Sequence, residues 1–310
     1  MKINKTRLLM LATGVAIAAA LLSCDSPAKR SAAPIEARRL DSIEARNPRN
    51  TSDHRPVVGL ALGGGGLRGL AHIGVLQALE EAGIQPDLVV GTSAGALVGA
   101  VYASGKNSRE IARLAQDLDI ASFVDFTLSA SGIMRGDHIA DWVDAAAGGR
   151  PIEAFPIRFA AIATDLRHGD PMVLDRGRPG DAVRASAAVP GVNVPVAYRG
   201  GHLVDGGIAS LVPVRAARAL GAQIVIAVDI YCRGEEAGGL SAPEVMRRSM
   251  HIQSCLISDS EMDEADIRIV PDIVVPGISD KDSQQRAVEA GYAAARTILS
   301  DRELLDRLKP

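Results

Sequence analysis

Leu88-Val89-Val90-Gly91-Thr92-Ser93-Ala94-Gly95 joins a short apolar run to a turn of small residues. The run Leu88–Thr92, bounded by turn signals, predicts a strand buried on both faces. Ala94–Ser104, AGALVGAVYAS, predicts a tightly packed helix directly after it. Between them, Gly91-Thr92-Ser93-Ala94-Gly95 forms a G-x-S-x-G turn. A serine held on a cramped strand-to-helix turn exposes its hydroxyl, and flanking Gly residues remove the clashes a Cβ would cause. The helix N-terminus behind it favours negative charge developing beside Ser93. Ser93 is therefore a candidate nucleophile, with a capped β–α turn as the plain alternative.

Working outward, strands and helices alternate. Val57–Leu62 (VVGLAL), Ile157–Thr164 (IRFAAIAT), Ile224–Asp229 (IVIAVD) and Ile267–Val270 predict further core strands. Helices are expected over LRGLAHIGVLQALEEAG with Gly83 closing it, over Val212–Gly221, over Pro243–Glu264 and over Gln284–Ser300. Such alternation predicts a three-layer α/β/α domain on a mainly parallel central sheet.

The first strand closes on Gly63-Gly64-Gly65-Gly66-Leu67-Arg68-Gly69. Gly64, Gly66 and Gly69 also satisfy G-x-G-x-x-G, but a dinucleotide site needs an acidic residue ending the second strand to hold the ribose. That strand ends in Gly91-Thr92-Ser93, and Asp87 precedes it. No Lys-Ser/Thr pair of a phosphate-binding loop follows either. The better reading is an oxyanion hole donated by the bare amides of Gly64, Gly65 and Gly66. Arg68 either adds positive charge there or pairs on the surface.

A serine needs a general base. Asp205-Gly206-Gly207 follows the apolar His202-Leu203-Val204. Both Asp205 and His202 qualify by type, while His251 falls inside a predicted helix and His72 reads as a packed or hydrogen-bonded residue. Asp165, at a strand end, reads as a loop tie, and Ser186 as a brace for backbone ahead of Pro190.

Three ordered blocks, GGGGLRG, GTSAG and DGG, resemble the patatin-like phospholipase family. Ala163-Thr164-Asp165-Leu166, Arg184–Pro190 (RASAAVP), Leu203–Ile208 and Gly221–Val228 resemble its bacterial members as well, so the likeness runs from Val57 to Ala295. It implies a Ser–Asp dyad in which Ser93 attacks and Asp205 takes its proton. Gly69, Gly91, Gly95, Gly206 and Gly207 would then support the three motifs. Burial of Asp205 would make it a stronger base than an ordinary aspartate. No cofactor or metal is called for; the sequence offers no HExxH or Cys/His ligand set.

The 310 residues include 34 Lys+Arg and 37 Asp+Glu, a net charge of −3, with no basic stripe to bind nucleic acid. At 47 % apolar residues, a large core is affordable and a disordered chain is excluded. Lys2, Lys5 and Arg7 precede the apolar run Leu8–Leu22, too short to span a bilayer, which reads as an export signal over residues 1–23. Leu21-Leu22-Ser23-Cys24 resembles the lipobox of bacterial lipoproteins, implying a lipidated Cys24 in the cell envelope, with Asp25 pointing to the inner membrane. Residues 24–54 read as a polar tether and 55–310 as the folded domain. Cys232 and Cys255 read as packed thiols, with pairing as the alternative. Phe123, Phe126, Leu128, Ile133, Met134 and Trp142 form an acyl-binding wall or a membrane-facing cap, with ordinary packing as the plain alternative. The expected function is a lipid acyl hydrolase on phospholipid or lysophospholipid. A carboxylesterase or thioesterase on small acyl substrates, and a silent lipid-binding lipoprotein, are the alternatives.

Overall fold

The computed structural model describes residues 35–44, 56–233, 239–301, and positions 303 and 308. The export signal, Cys24 and the first stretch of the expected tether lie outside the described residues. The strands are β1 (Arg38–Arg39), β2 (Val58–Leu62), β3 (Leu88–Thr92), β4 (Phe126–Ser129), β5 (Gly132–Met134), β6 (Arg158–Asp165), β7 (Pro171–Leu174), β8 (Val196–Tyr198), β9 (Gly201–Asp205), β10 (Ile224–Val228) and β11 (Ile267–Ile269). The helices are α1 (Ala71–Glu81), α2 (Ala94–Ala103), α3 (Ser108–Asp117), α4 (Asp137–Ala146), α5 (Pro179–Ser186), α6 (Val214–Ala219), α7 (Ala242–Met262) and α8 (Lys281–Ile298).

The five apolar runs form a continuous parallel block in the order β6-β3-β2-β10-β11. Successive side chains on each strand point to opposite faces, so each strand feeds two cores. Leu60, Leu62, Val89, Ile226 and Val228 pack with helices that include α1 and α2. Ala61, Val90, Ile162, Val225 and Ala227 pack with α6 on the other face. Burying each Leu or Ile contributes roughly 1.5–3 kcal/mol, which explains why polar residues in these runs are limited to Thr92, Arg158, Thr164, Asp165 and Arg268.

An antiparallel wing completes the sheet. β7 pairs with one edge of β6, from Ala161↔Leu174 to Thr164↔Pro171. Along the other edge, β3 ends where Thr92 faces Ile162, and β9 takes over where Asp205 faces Ala163. The C-terminal ends of β3 and β9 therefore meet head-on beside β6. β8 adds to β9.

Part of the expected tether belongs to this sheet. β1 pairs with β7, Arg38 opposite Val173, and Ile35 bridges to Tyr198. Arginines that read as solvated find carboxylates: Arg38 meets Asp175 at 2.5 Å and Arg39 meets Asp170 at 3.4 Å, while Leu40 and Ile43 pack against the core. The packed region thus reaches back beyond the expected start at residue 55.

Cys232 and Cys255 form a disulfide with their Cα atoms 5.5 Å apart, which corrects the reading of two packed thiols. The bond anchors α7 to the loop after β10. Phe123 and Trp142 pack edge-to-face at 5.7 Å, whereas Phe126 on the β4–β5 hairpin is 75 % exposed. The base of that hairpin is held by Asp125, whose carboxylate accepts the N–H groups of Arg135, Gly136 and Asp137 at 2.6–3.0 Å.

Candidate active site

Ser93 sits between β3 and α2 with φ 52° and ψ −116°, the one non-glycine residue with positive φ among the described residues. Such a conformation costs of order 1–3 kcal/mol and persists only where surroundings enforce it. Gly95 supplies that enforcement, because an added Cβ there would lie 2.1 Å from the carbonyl of Leu62. Gly91 likewise faces the Gly95 carbonyl too closely for a side chain. The backbone N–H of Ser93 donates to Ser186 Oγ at 2.8 Å, and that hydroxyl donates to the Ile162 carbonyl at 2.5 Å. Ser186 thus braces the Ser93 turn itself, consistent with its reading as a backbone brace.

Asp205 ends β9 across from Ala163, and the Ser93 hydroxyl acts on its carboxylate to lower its pKa. It is 9 % exposed, and its Oδ1 accepts the N–H of Gly207 at 2.8 Å. Burial pushes its pKa up to about 6, against the opposing pull of the Gly207 and Ser93 hydrogen bonds. The backbone of Asp205 is fixed on both sides, its N–H by the Ala188 carbonyl at 2.9 Å and its C=O by Thr164 Oγ1 at 2.8 Å. Gly206 must lack a side chain, since a Cβ would come within 2.2 Å of the Ile162 carbonyl.

His202, the rival base, is exposed and stands three residues from Asp205 on the same strand. Strand alternation sends the two side chains to opposite faces. His72 is fully buried and its Nε2–H donates to the Gly63 carbonyl at 2.8 Å. Desolvation lowers its pKa to about 4, partly offset by that hydrogen bond, so the ring is neutral and ties down the glycine loop.

The glycine block departs from expectation at one position. The N–H of Gly64 donates to the Leu211 carbonyl at 3.0 Å and is not free for an oxyanion. Gly64 instead lets the loop pack on the nucleophile, with Ser93 Cβ 3.3 Å from where its own Cβ would stand. Gly65 and Gly66 open a 3₁₀ turn over Gly66–Leu70, and their N–H groups have no acceptor among the described residues. Gly69 follows in that turn, where a Cβ would meet Ala94 Cβ at 2.8 Å. Arg68 is buried and stacks over the Tyr231 ring at 5.2 Å.

Asp165 accepts from Tyr198 Oη at 2.9 Å and from the His168 N–H at 3.0 Å, tying a loop as expected. Residues that sequence reading left out are Thr164, Thr92 and Ser210. Thr92 Oγ1 donates to the Ser210 carbonyl at 2.9 Å, locking the nucleophile strand to the loop after Gly207. A threonine that bonds a carbonyl 118 positions away carries no local signature.

The family model described as patatin-like phospholipase matches residues 60–218, just over half of the 310. The chain belongs to the patatin-like phospholipase family. The matched span holds the glycine block, Ser93 and Asp205. An uncharacterized NTE family protein of Mycobacterium tuberculosis is 43 % identical over 186 residues, 59 % of this chain and 51 % of that protein. Lysophospholipase NTE1 of Yarrowia lipolytica is 34 % identical over 181 residues, 56 % of this chain and 12 % of that protein. The chain therefore spans about half the length of the mycobacterial relative and a small part of the yeast one. Among solved structures, VipD from Legionella pneumophila shares the fold, with a TM-score of 0.54 over 91 % of this chain and 72 % of VipD at 16 % identity.

Proposed function

We propose that this patatin-like chain is a serine lipid acyl hydrolase of the phospholipase A or lysophospholipase type. The meeting of the Ser93 turn and the buried Asp205 carboxylate, where β3 and β9 end beside β6, carries this reading. Ser93 Oγ attacks the ester carbonyl carbon while Asp205 takes the hydroxyl proton. The negative charge on the carbonyl oxygen is met by the N–H groups of Gly65 and Gly66 and by the N-terminus of α2. Collapse of the tetrahedral intermediate expels the alcohol, which leaves with the proton from Asp205, and the acyl group stays on Ser93. A water then gives its proton to Asp205 and attacks the acyl-enzyme, and collapse releases the fatty acid as Asp205 returns that proton to Ser93 Oγ. The family and the lysophospholipase name of the yeast relative favour a lipid ester over a small soluble one.

The proposed setting is the bacterial envelope, with Cys24 lipidated and residues 24–34 leading to the domain. The Cys232–Cys255 disulfide supports a location outside the reducing cytosol.

The test is labelling by a fluorophosphonate probe together with hydrolysis of diacyl phospholipid, lysophospholipid and p-nitrophenyl butyrate. Wild type should label and cleave the lipids, Ser93→Ala should do neither, and His202→Ala should keep both. Labelling that survives Ser93→Ala would overturn the assignment, and cleavage of the butyrate ester alone would move it to a carboxylesterase. Wild type that neither labels nor cleaves would indicate a lipid-binding protein.

A further inference from the structure

Residues 206–211 touch all three sequence blocks of the site. The N–H of Ser210 donates to the Gly206 carbonyl at 2.8 Å, closing the turn that follows Asp205. The Ser210 carbonyl accepts Thr92 Oγ1 at 2.9 Å, one residue before Ser93. The Leu211 carbonyl accepts the Gly64 N–H at 3.0 Å. Leu211 Cδ1 also stands 3.2 Å from where a Cβ on either Gly64 or Gly207 would lie. A shift of Ser210 would therefore move the Ser93 turn, the Asp205 turn and the glycine loop together.

Ser210 is held from behind by a carboxyl. Glu261, in the last turn of α7, is 2 % exposed, and its Oε2 accepts the Ser210 hydroxyl at 2.7 Å. Burial pushes the pKa of Glu261 up to about 7; the Ser210 hydroxyl and Arg215 pull it down, while Glu264 adds to the rise. A buried carboxyl is costly, and a leucine of similar size would fill the place without that cost. The hydrogen bond to Ser210 is what the carboxyl adds. Its support is firm as well. Arg215 on α6 reaches Glu264 at 2.8 Å and Ser260 Oγ at 3.2 Å, and Cys255 on α7 is bonded to Cys232.

We infer that Glu261 is a positioning residue for the proposed hydrolase site, holding Ser210 so that Ser93, Asp205 and the donors Gly65 and Gly66 keep their relative places. The inference rests on the hydrolase reading for its effect on turnover. Ser210 needs an acceptor oxygen rather than a charge, since a carboxylate, a carboxylic acid and an amide each offer one. In this Glu261 differs from Asp205, which must be ionised to take a proton.

The experiment compares Glu261→Gln, Glu261→Leu, Ser210→Ala and the Ser210→Ala, Glu261→Leu pair in the full chain. It reads lysophospholipid hydrolysis and backbone hydrogen exchange over residues 63–70 and 91–97. Glu261→Leu and Ser210→Ala should each lower kcat about tenfold or more with KM within about twofold, and exchange in both segments should quicken. The pair should lose no more than either single change, because both act on one hydrogen bond. Glu261→Gln should keep kcat within about threefold of wild type and leave the pH profile unmoved. Thermal midpoints monitor folding, and Ser210→Ala, which removes one hydroxyl, carries the test if Glu261→Leu does not fold. Unchanged kcat and exchange in the single variants would overturn the inference. So would losses that add in the pair, or a Glu261→Gln as damaged as Glu261→Leu. Exchange that responds as expected in a chain that cleaves no lipid would refute the hydrolase reading alone.

Discussion

Ser186 Oγ accepts the backbone N–H of Ser93 at 2.8 Å while donating to the carbonyl of Ile162. One hydroxyl thus holds the strained nucleophile turn against β6, the strand to which β9 brings Asp205. Ser186→Ala would leave a buried N–H and a buried carbonyl without their partner, a cost of about 1–3 kcal/mol. The expected result is a lower thermal midpoint and a reduced kcat with KM little changed, because Ser186 has no role in the proposed contacts to substrate. An unchanged kcat would remove it from the positioning of Ser93.

Asp205 should set the acid limb of activity. It must be ionised to accept a proton, and burial raises its pKa to about 6. The kcat/KM for a soluble ester should rise with pH through about 6 and then level. Asp205→Asn should lower kcat by roughly 10²–10⁴.

The same residue predicts a trade of stability for function. Its carboxyl holds a proton more tightly when folded than at its ordinary value of 3.8, so stability falls as pH rises from about 4 to about 6 and stays reduced above. Asp205→Asn escapes that loss. Urea unfolding should find the variant more stable than wild type at pH 8, by up to about 3 kcal/mol, with the gap closing near pH 4.

Gly95→Ala and Gly66→Ala should differ sharply. A methyl at 95 meets backbone at 2.1 Å, whereas Gly66, at φ +58°, has nothing within 4 Å. Gly95→Ala should prevent folding or cost several kcal/mol; Gly66→Ala should cost only the left-handed backbone penalty of about 1–2 kcal/mol. Expression level and thermal midpoint read both.

The disulfide closes a separation of 23 residues. Cys255→Ser should lower stability by about 3 kcal/mol, measured by urea unfolding against the oxidised wild type.

The parallel half of the fold was legible because its strands are buried on both faces and contain almost nothing polar. Leu88–Thr92 matches its predicted limits, and β2, β6, β10 and β11 fall within a residue or so of theirs. The antiparallel wing was not legible. β7, β8 and β9 have three to five residues each, too few to display a period, and β1 is written as two arginines. At the site, the Ser93 turn carries its own local signature, G-x-S-x-G, whereas Asp205 was singled out from His202 only by the family resemblance, because Asp-Gly-Gly by itself reads as an ordinary turn. The diversion of Gly64 was hidden, since its acceptor on Leu211 is supplied by a loop nearly 150 positions later. The cystine was hidden for a similar reason: pairing depends on where α7 packs, and no spacing rule encodes that.

Because β3 and β9 end against each other on a single edge of β6, Ser93, one residue past the last rung of β3, and Asp205, on the next rung along β6, are held by one hydrogen-bonded ladder. Separating them would require breaking sheet pairing, so the proposed dyad would stand assembled before any ester arrives. Turnover by the proposed dyad should then be paced by arrival of the ester and departure of the fatty acid rather than by assembly of the site.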